Sequence, residues 1–222
     1  MFSRQKNPAT EKRITLSQVS WEKLEAILED LGNQRSTHIT YYQGKLEILE
    51  PWTHHDRIVR LMDSLLRLLA DESGDDLCGG GSQLLKHSER GIAIQPNACY
   101  YLAQRPRFGD RAELDLRQVA PPELAIDIQL HRASLKRLGL FAGLGIPEVW
   151  QYVTSLDEAQ VLKGELTLLG LQNNRYEPIS HSRLYDFLPT AVITSFIAQS
   201  DSAGLAQALA QLRSWIPREQ PT

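Results

Sequence analysis

The stretch PPELAIDIQLHRASLKRLGL, which spans residues 121–140, places a carboxylate and an amide inside an apolar run. Asp127 and Gln129 interrupt the apolar residues between Leu124 and Leu130. Burying a charge costs free energy unless a cation or hydrogen bonds compensate it. No acidic residue follows before Pro147, whereas four basic side chains do: His131, Arg132, Lys136 and Arg137. A carboxylate that holds Mg²⁺ beside cations that hold phosphate is the chemistry of a phosphate-handling site.

Asp127 also has simpler structural roles that fit the same residue types. Its carboxylate can cap a turn, or it can pair with Arg132 or Arg137 in the absence of any metal. The residue types by themselves leave the metal site and the ion pair both open.

Composition limits the classes of protein that this chain can represent. The 222 residues suit one large domain, and 42% of them are hydrophobic, which is enough for a core. The net charge of −3 argues against a generally basic nucleic-acid binder, although a local basic patch is compatible with it. No apolar run approaches the roughly 18 residues that span a membrane. Cys78 and Cys99 lack metal or redox spacing, so we expect reduced thiols in a cytoplasmic protein.

Apolar periodicity in the first half of the chain predicts helices and hairpins in alternation. A helix begins after the N-cap Ser20 and stops at Gly32, and a hairpin turns at Gln43-Gly44. A longer helix follows Pro51. The segment LCGGGSQ is predicted to be a flexible turn, and it lacks the GK[ST] of a phosphate loop. Two strands are predicted in residues 83–102, and a charged surface loop in residues 104–118, which include Arg105, Arg107 and Arg111.

The second half of the chain contains a pattern typical of a βαβ crossover. Its parts are a strand over Leu124–Leu130, a helix over Ser134–Leu144 and a strand over Val149–Val153. A further hairpin is predicted at Lys163-Gly164, followed by two C-terminal helices over Thr190–Gln199 and Ala203–Trp215. The order of elements predicts a mixed α/β, or α+β, fold with helices packed on a central sheet.

Several separated segments together resemble one known family. They are PPELAIDIQLHRASLKRLGLFAGLGIPEVWQYV, the upstream IQPNACYYL, and ITYYQGKLEILEPWTHHDRIV with its hairpin, proline and histidines. In their order along the chain they resemble the Uma family of restriction-endonuclease-like proteins, usually placed in the PD-(D/E)XK nuclease superfamily. Residues 145–150, GIPEVW, match the family signature Gly-Val-Pro-Glu-x-Trp closely. The resemblance covers about residues 37 to 188, which is most of the chain.

The resemblance implies a restriction-endonuclease-like core, a central mixed sheet flanked by helices. An N-terminal helix and hairpin precede this core, and C-terminal helices follow it. The corresponding division of the chain is a polar tail at 1–14, the nuclease-like domain at 15–190 and a helical extension at 191–222.

The resemblance also implies a set of site residues, several of which depart from the family pattern. Superfamily members hold a metal with one aspartate and one glutamate, and a lysine positions or activates the attacking water. The aspartate position is Asn97 here, the glutamate is Asp127, the next aspartate is Gln129, and the lysine aligns with Arg137 beside Lys136. Asp127 and Asn97 are thus the expected ligands of Mg²⁺ or Mn²⁺. We expect the binding of this metal to be weak or lost. His55, His131 and Arg132 are the expected substrate contacts.

Two functions follow as hypotheses. The first is a Mg²⁺-dependent endonuclease, a hydrolase of nucleic-acid phosphodiesters, with DNA as the expected partner and a partly degenerate site. The alternative is a catalytically inactive nuclease-fold protein that serves as a binding or scaffold module. A homodimer is expected, with the apolar face of the last helix as its surface; Leu205, Leu209 and Leu212 can instead dock on their own domain. Glu148 and Trp150 are expected to be structural, and one of Tyr100 and Tyr101 to be core.

Overall fold

The computed structural model describes residues 12–32, 37–50, 53–102, 113–130, 136–156 and 162–217. For residues 53–55, 80, 130, 155, 156, 162 and 163 only the backbone is described. The helices are α1 Trp21–Leu31, α2 Thr53–Ser73, α3 Arg137–Leu144, α4 Thr190–Ser202 and α5 Leu205–Trp215. The strands are β1 Lys12–Leu16, β2 His38–Tyr42, β3 Lys45–Glu50, β4 Cys78–Gly81, β5 Leu84–His87, β6 Ile92–Ile94, β7 Ala98–Tyr101, β8 Glu113–Asp115, β9 Leu124–Leu130, β10 Glu148–Leu156, β11 Leu162–Gln172 and β12 Arg175–Pro178.

These strands form two mixed sheets rather than the expected single central sheet, while the mixed α/β class predicted from the sequence is confirmed. Sheet A has the order β1-β3-β2-β6-β5-β8, and sheet B has the order β12-β11-β10-β9-β7-β4. Each sheet contains one parallel pair, β5 with β8 in sheet A and β9 with β10 in sheet B. The parallel pair β9–β10 is joined through α3, which confirms the predicted crossover and places Asp127 opposite Gln151 in the middle of sheet B.

Three apolar clusters hold the layers together. The largest packs α2, α4 and α5 against sheet B, and it includes Trp150, Leu65 and Phe196. A second cluster lies between α3 and strands of both sheets, and a third packs α1 on sheet A. The C-terminal helices therefore share a core with the segment predicted as the nuclease-like domain, and β1 begins inside the segment predicted as a polar tail.

The first helix and hairpin follow the signals in their sequences. The Ser20 hydroxyl accepts a hydrogen bond from the backbone N–H of Lys23, and Gly32 ends α1 with a positive φ of 67°. The turn between β2 and β3 falls at Gln43 and Gly44, both with positive φ, as predicted.

Two glycine-rich positions that predict turns instead lie in strands. The segment from Cys78 to Gly81 is β4, paired antiparallel with β7. A Cβ on Gly79 would lie 3.4 Å from the Tyr100 ring, which is ordinary van der Waals contact, so packing alone does not require a glycine at this position. Gly164 is not in a hairpin turn but pairs with Thr154 inside the β10–β11 ladder, and a Cβ there would overlap the Tyr152 ring. Gly164 therefore reflects close packing rather than chain reversal.

Other boundaries also differ from the predictions. Residues 83–102 contain three strands, because a 3₁₀ turn at Ser88–Arg90 separates β5 from β6. The segment predicted as a loop ends in β8, while Arg105, Arg107 and Arg111 lie outside the described residues. Helix α3 begins at Arg137 rather than Ser134, since Lys136 has the non-helical conformation of its N-cap. The tight turn predicted at Lys163-Gly164 lies instead at Asn173 and Asn174, which both have positive φ and join β11 to β12.

None of the helices in the described parts of the chain is long and apolar enough to cross a membrane.

Candidate functional site

Asp127 lies on the central strand β9 with its side chain fully buried, and its charge partner is Arg137. The guanidinium Nε of Arg137 donates to Oδ1 of Asp127 at 2.7 Å. Because α3 begins at Arg137, the crossover after β9 returns this side chain over the strand that it has just left. Of the roles open at the sequence level, the ion pair with Arg137 is therefore the one that the structure shows.

The same guanidinium also ties sheet A to sheet B. Its Nη1 donates to the Thr40 hydroxyl on β2 at 2.7 Å, and its Nη2 donates to the Gln95 carbonyl at 2.8 Å, next to β6. The guanidinium carbon lies 5.5 Å from the centre of the Phe141 ring, one turn further along α3. Arg137 itself is only 7% exposed, and all three of its guanidinium nitrogens have acceptors, so the buried cation is well compensated.

The second oxygen of Asp127 is occupied by Gln129. The amide Nε2 of Gln129 donates to Oδ2 of Asp127, on the same side of β9 two residues along the strand. The Gln129 carbonyl accepts from the Thr154 hydroxyl on β10 at 3.1 Å. Both carboxylate oxygens of Asp127 thus accept a hydrogen bond from a nitrogen of this chain.

Asn97 extends the ladder between β7 and β9. Its backbone N–H donates to the Ile126 carbonyl at 2.9 Å, and its side-chain Oδ1 accepts from the backbone N–H of Ile128 at 2.8 Å. This side chain therefore provides an acceptor for a β9 amide at the position just before β7 begins at Ala98. The oxygen expected to bind a metal is therefore already used to hold β9.

Gln95 is buried and links strands of sheet A. Its amide Oε1 accepts from the Ile39 backbone at 3.4 Å, and its Nε2 donates to the Ser82 carbonyl at 2.9 Å and to the Ser82 hydroxyl at 3.2 Å. The Ser82 hydroxyl lies 3.3 Å from Nε2 of His38 and donates to the Pro96 carbonyl at 2.8 Å. Because this proton goes to a backbone carbonyl, Ser82 has the arrangement of a bridging hydroxyl and not of an activated nucleophile.

Asn97, Gln129 and Arg137 line one small pocket between the two sheets. Sheet A contributes Arg13, His38, Glu47 and Leu49 to its wall, and Ile128 completes it. Its volume of about 10 Å³ corresponds to roughly one water molecule. Three of the sequence-predicted site residues thus line a space with room for about one water molecule, and Asp127 contacts two of them.

Glu47 is a buried acid of this pocket that sequence reasoning missed. It is 2% exposed on β3, opposite Thr40, and its Oε2 lies 3.6 Å from Nε of Arg13. The signal available in the sequence is the run KLEILE, in which an acid alternates with apolar residues of a strand. That pattern is also common on solvent-facing strands, so the burial of Glu47 depends on the packing of sheet A against sheet B.

The donor set at Asp127 does not fit Mg²⁺. This ion prefers several anionic oxygen ligands in octahedral geometry. Here the single carboxylate faces a permanent cation and an amide donor, and the Asn97 oxygen faces a backbone N–H. Among the described residues, no group of three or more His, Cys, Asp and Glu side chains is placed to hold a metal.

The remaining predicted site residues are placed as follows. Lys136 is exposed at the N-cap of α3 and outside the pocket. His55 lies in the first turn of α2, where only the backbone is described, and His131 and Arg132 lie outside the described residues. Both Tyr100 and Tyr101 are buried, one more than predicted.

Glu148 and Trp150 have the structural roles predicted for them. Trp150 is fully buried, and its indole Nε1 donates to Oε1 of Glu148 at 2.6 Å. Oε2 of Glu148 accepts from the backbone N–H groups of Arg183 at 2.8 Å and Leu184 at 3.1 Å, and from the Ser182 hydroxyl at 3.2 Å. This carboxylate therefore fastens the segment before α4 to the start of β10.

A scan against models of protein families and a search of curated proteins gave no match.

Proposed function

We propose that this chain is a restriction-endonuclease-like protein in which a buried ion pair stands where its relatives hold a metal, and that it is a non-catalytic binding or scaffold module. The family assignment is supported by the sequence resemblance and by the crossover β9–α3–β10 that presents Asp127, Gln129 and Arg137. The cytoplasm is the compartment that we propose, because Cys78 and Cys99 are free thiols.

The observation that carries this proposal is the 2.7 Å contact between Arg137 and Asp127. A lysine at this position can lose its proton and move between partners, whereas a guanidinium stays charged and holds a fixed fork of donors. Three such donors are already used within the chain, by Asp127, Thr40 and Gln95. A phosphodiester or a metal would have to displace these contacts, which involve largely buried groups.

A second function, a Mg²⁺-dependent endonuclease, is favoured by one observation. The pocket that contains Asn97 and Gln129 also contains the buried carboxylate of Glu47, so a second acid lies within the same small space. If Arg137 were released, Asp127 and Glu47 would offer two acids. The partner would then be nucleic acid, with DNA as the expected substrate.

Incubation of the protein with supercoiled plasmid in Mg²⁺ and in Mn²⁺ distinguishes the two functions. We expect no nicking and no change in unfolding temperature with either ion. The proposal is wrong if the parent chain nicks plasmid and Asp127→Ala abolishes the activity. Asp115→Ala is the matched control, because Asp115, the last residue of β8, also pairs with an arginine, Arg117, but at the surface.

A further inference from the structure

Strand β1 is the outer strand of sheet A. It pairs along all five residues with β3, from Lys12 opposite Glu50 to Leu16 opposite Leu46. Among the described strands, none pairs with its other edge. A free strand edge presents a row of backbone N–H and C=O groups that can accept another strand.

On one face of sheet A, a row of apolar side chains continues from the core onto the exposed strand β1. Ile14 lies opposite Ile48 and is 60% exposed, and Leu16 lies opposite the fully buried Leu46 and is 40% exposed. Helix α1 packs on Leu46 and its neighbours through Leu24 and Leu28, but its cluster does not include β1. The apolar row of sheet A therefore ends uncovered at the edge strand, where burial of Ile14 and Leu16 would be favourable.

The two basic residues of β1 form ion pairs, so they do not protect this edge from strand pairing as free charges would. Edge strands are commonly protected from pairing by unpartnered lysines and other charged side chains. Here Nζ of Lys12 lies 3.1 Å from Glu50, and Nε of Arg13 lies 3.6 Å from Glu47. Both cations are thus compensated by carboxylates of β3 in the same molecule.

We propose that β1 pairs antiparallel with β1 of a second copy of this chain, about a two-fold axis at Ile14. In this register Ile14 faces its own counterpart, Lys12 faces Leu16, and Arg13 faces Thr15. No like charges face each other directly, and the two exposed apolar residues become covered. Arg13 of β1 also lines the pocket beside Arg137, but the pairing uses only the outer backbone edge of β1, so it holds whether or not the proposed function is right.

The pairing surface is short, so the dimer is concentration-dependent. Light scattering and sedimentation of the full chain over about 1 to 200 µM should show a shift from monomer to dimer mass. Ile14→Lys places two ammonium groups opposite each other at the axis, and it should weaken the dimer at least about tenfold. Because Ile14 is largely exposed, the variant should keep the circular dichroism of the parent.

Variants with opposite charges at position 14 test the two-fold register most directly. Ile14→Lys and Ile14→Glu should each be monomeric, and an equimolar mixture should form a heterodimer, because the two-fold register brings position 14 against itself. Leu205→Lys is the matched control: Leu205 is 39% exposed on α5, the surface first expected to dimerise, and its change should leave the dimer intact.

Several results would overturn this inference. They are a parent that stays monomeric throughout the series, a dimer that survives Ile14→Lys, and a dimer that Leu205→Lys disrupts. Failure of the mixed variants to associate would also count against the two-fold register. Retention of the dimer in Ile14→Lys but not in Leu205→Lys would assign the interface to the C-terminal helices.

Discussion

Arg137 and Asp127 form a buried ion pair in which a guanidinium at the start of α3 caps a carboxylate at the centre of β9, at 2.7 Å. The pair spans only ten residues of sequence, yet the same guanidinium reaches β2 and the segment before β7. It therefore couples the two sheets at the place where the resemblance predicts a metal. A cation that belongs to the chain cannot dissociate from the protein as a bound metal ion can.

We expect Arg137→Met to lower the free energy of unfolding by about 3–5 kcal/mol, because it leaves a buried carboxylate without its cation. The measurement is urea unfolding followed by circular dichroism. Asp127→Asn combined with Arg137→Met should recover part of the loss, since no charge is then left unpaired. Arg117→Met is the control: Arg117 pairs with Asp115 at the surface, and its loss should cost no more than about 1 kcal/mol. Equal effects at Arg117 and Arg137 would contradict this assignment.

The elements around the site could be predicted well from local patterns. The crossover follows from an apolar strand, a short apolar helix ended by Gly145 and a second apolar strand, and Arg137 was already a candidate partner of Asp127. Contacts that connect distant parts of the sequence could not be predicted. Thr40 and Gln95 lie far from Arg137 in sequence, and no local pattern marks either as its acceptor.

The errors in the predicted fold have a common physical cause. Gly79 and Gly164 both suggest turns, but both lie in strands, and at Gly164 the Tyr152 ring occupies the space that a side chain would need. A glycine signals either a chain reversal or a close contact, and only the partner strand tells which. Burial of Asn97 likewise reflects its bond to Ile128 on β9, which a single sequence does not reveal.

Introducing the residues of the resembled family pattern tests whether this site can form a metal centre. Asn97→Asp with Arg137→Lys returns the acid and the lysine that the resemblance predicts. We expect this double variant to be less stable than the parent, because Arg137 is buried with three acceptors and Asn97 is buried as well. The fold is thus less tolerant here than an open polar cleft would be.

The double variant should nevertheless gain stability from Mg²⁺ where the parent gains none. Binding to the native state alone adds about 1.4 kcal/mol at ten times the dissociation constant, which differential scanning fluorimetry detects as a rise in midpoint temperature. Adding Asp127→Ala should remove the response. If Mg²⁺ has no effect on the double variant, Asn97 and Asp127 do not share a metal site, and the resemblance in this region concerns the fold alone.

Glu148→Gln should destabilise the protein by about 1–3 kcal/mol through a donor left without an acceptor. Both oxygens of Glu148 accept hydrogen bonds, from Trp150 on one side and from the segment at residues 182–184 on the other. A glutamine offers only one oxygen, so its amide group must face another donor. Glu177→Gln on the exposed strand β12 is the control and should change stability little. Comparable unfolding midpoints for the two variants would contradict this role of Glu148.

The two thiols should differ in reactivity. Cys99 is fully buried, and burial raises the pKa of its thiol from about 9 to about 12, whereas Cys78 is partly exposed. Because the thiolate is the reactive form, iodoacetamide at pH 8 should modify Cys78 in the native protein and Cys99 only after unfolding. Mass spectrometry of Cys78→Ala, which should remain unmodified until urea is added, checks this. Rapid native modification of Cys99 would show that β4 and β7 open readily.

The raised pKa of Cys99 also predicts a loss of stability at alkaline pH. The folded protein holds the thiol proton more tightly than the unfolded chain, so this contribution to stability is complete below pH 9 and declines as the pH rises from 9 towards 12. The stability difference between the parent and Cys99→Ala should therefore shift against the parent between pH 8 and pH 10.5, by about 1.4 kcal/mol per pH unit at most. Cys78→Ala serves as the control, because it leaves the Cys99 thiol in place. Urea midpoints at the two pH values, measured under reducing conditions, give the comparison. If the parent and Cys99→Ala lose stability in parallel, the Cys99 thiol is not the group that couples folding to pH in this range.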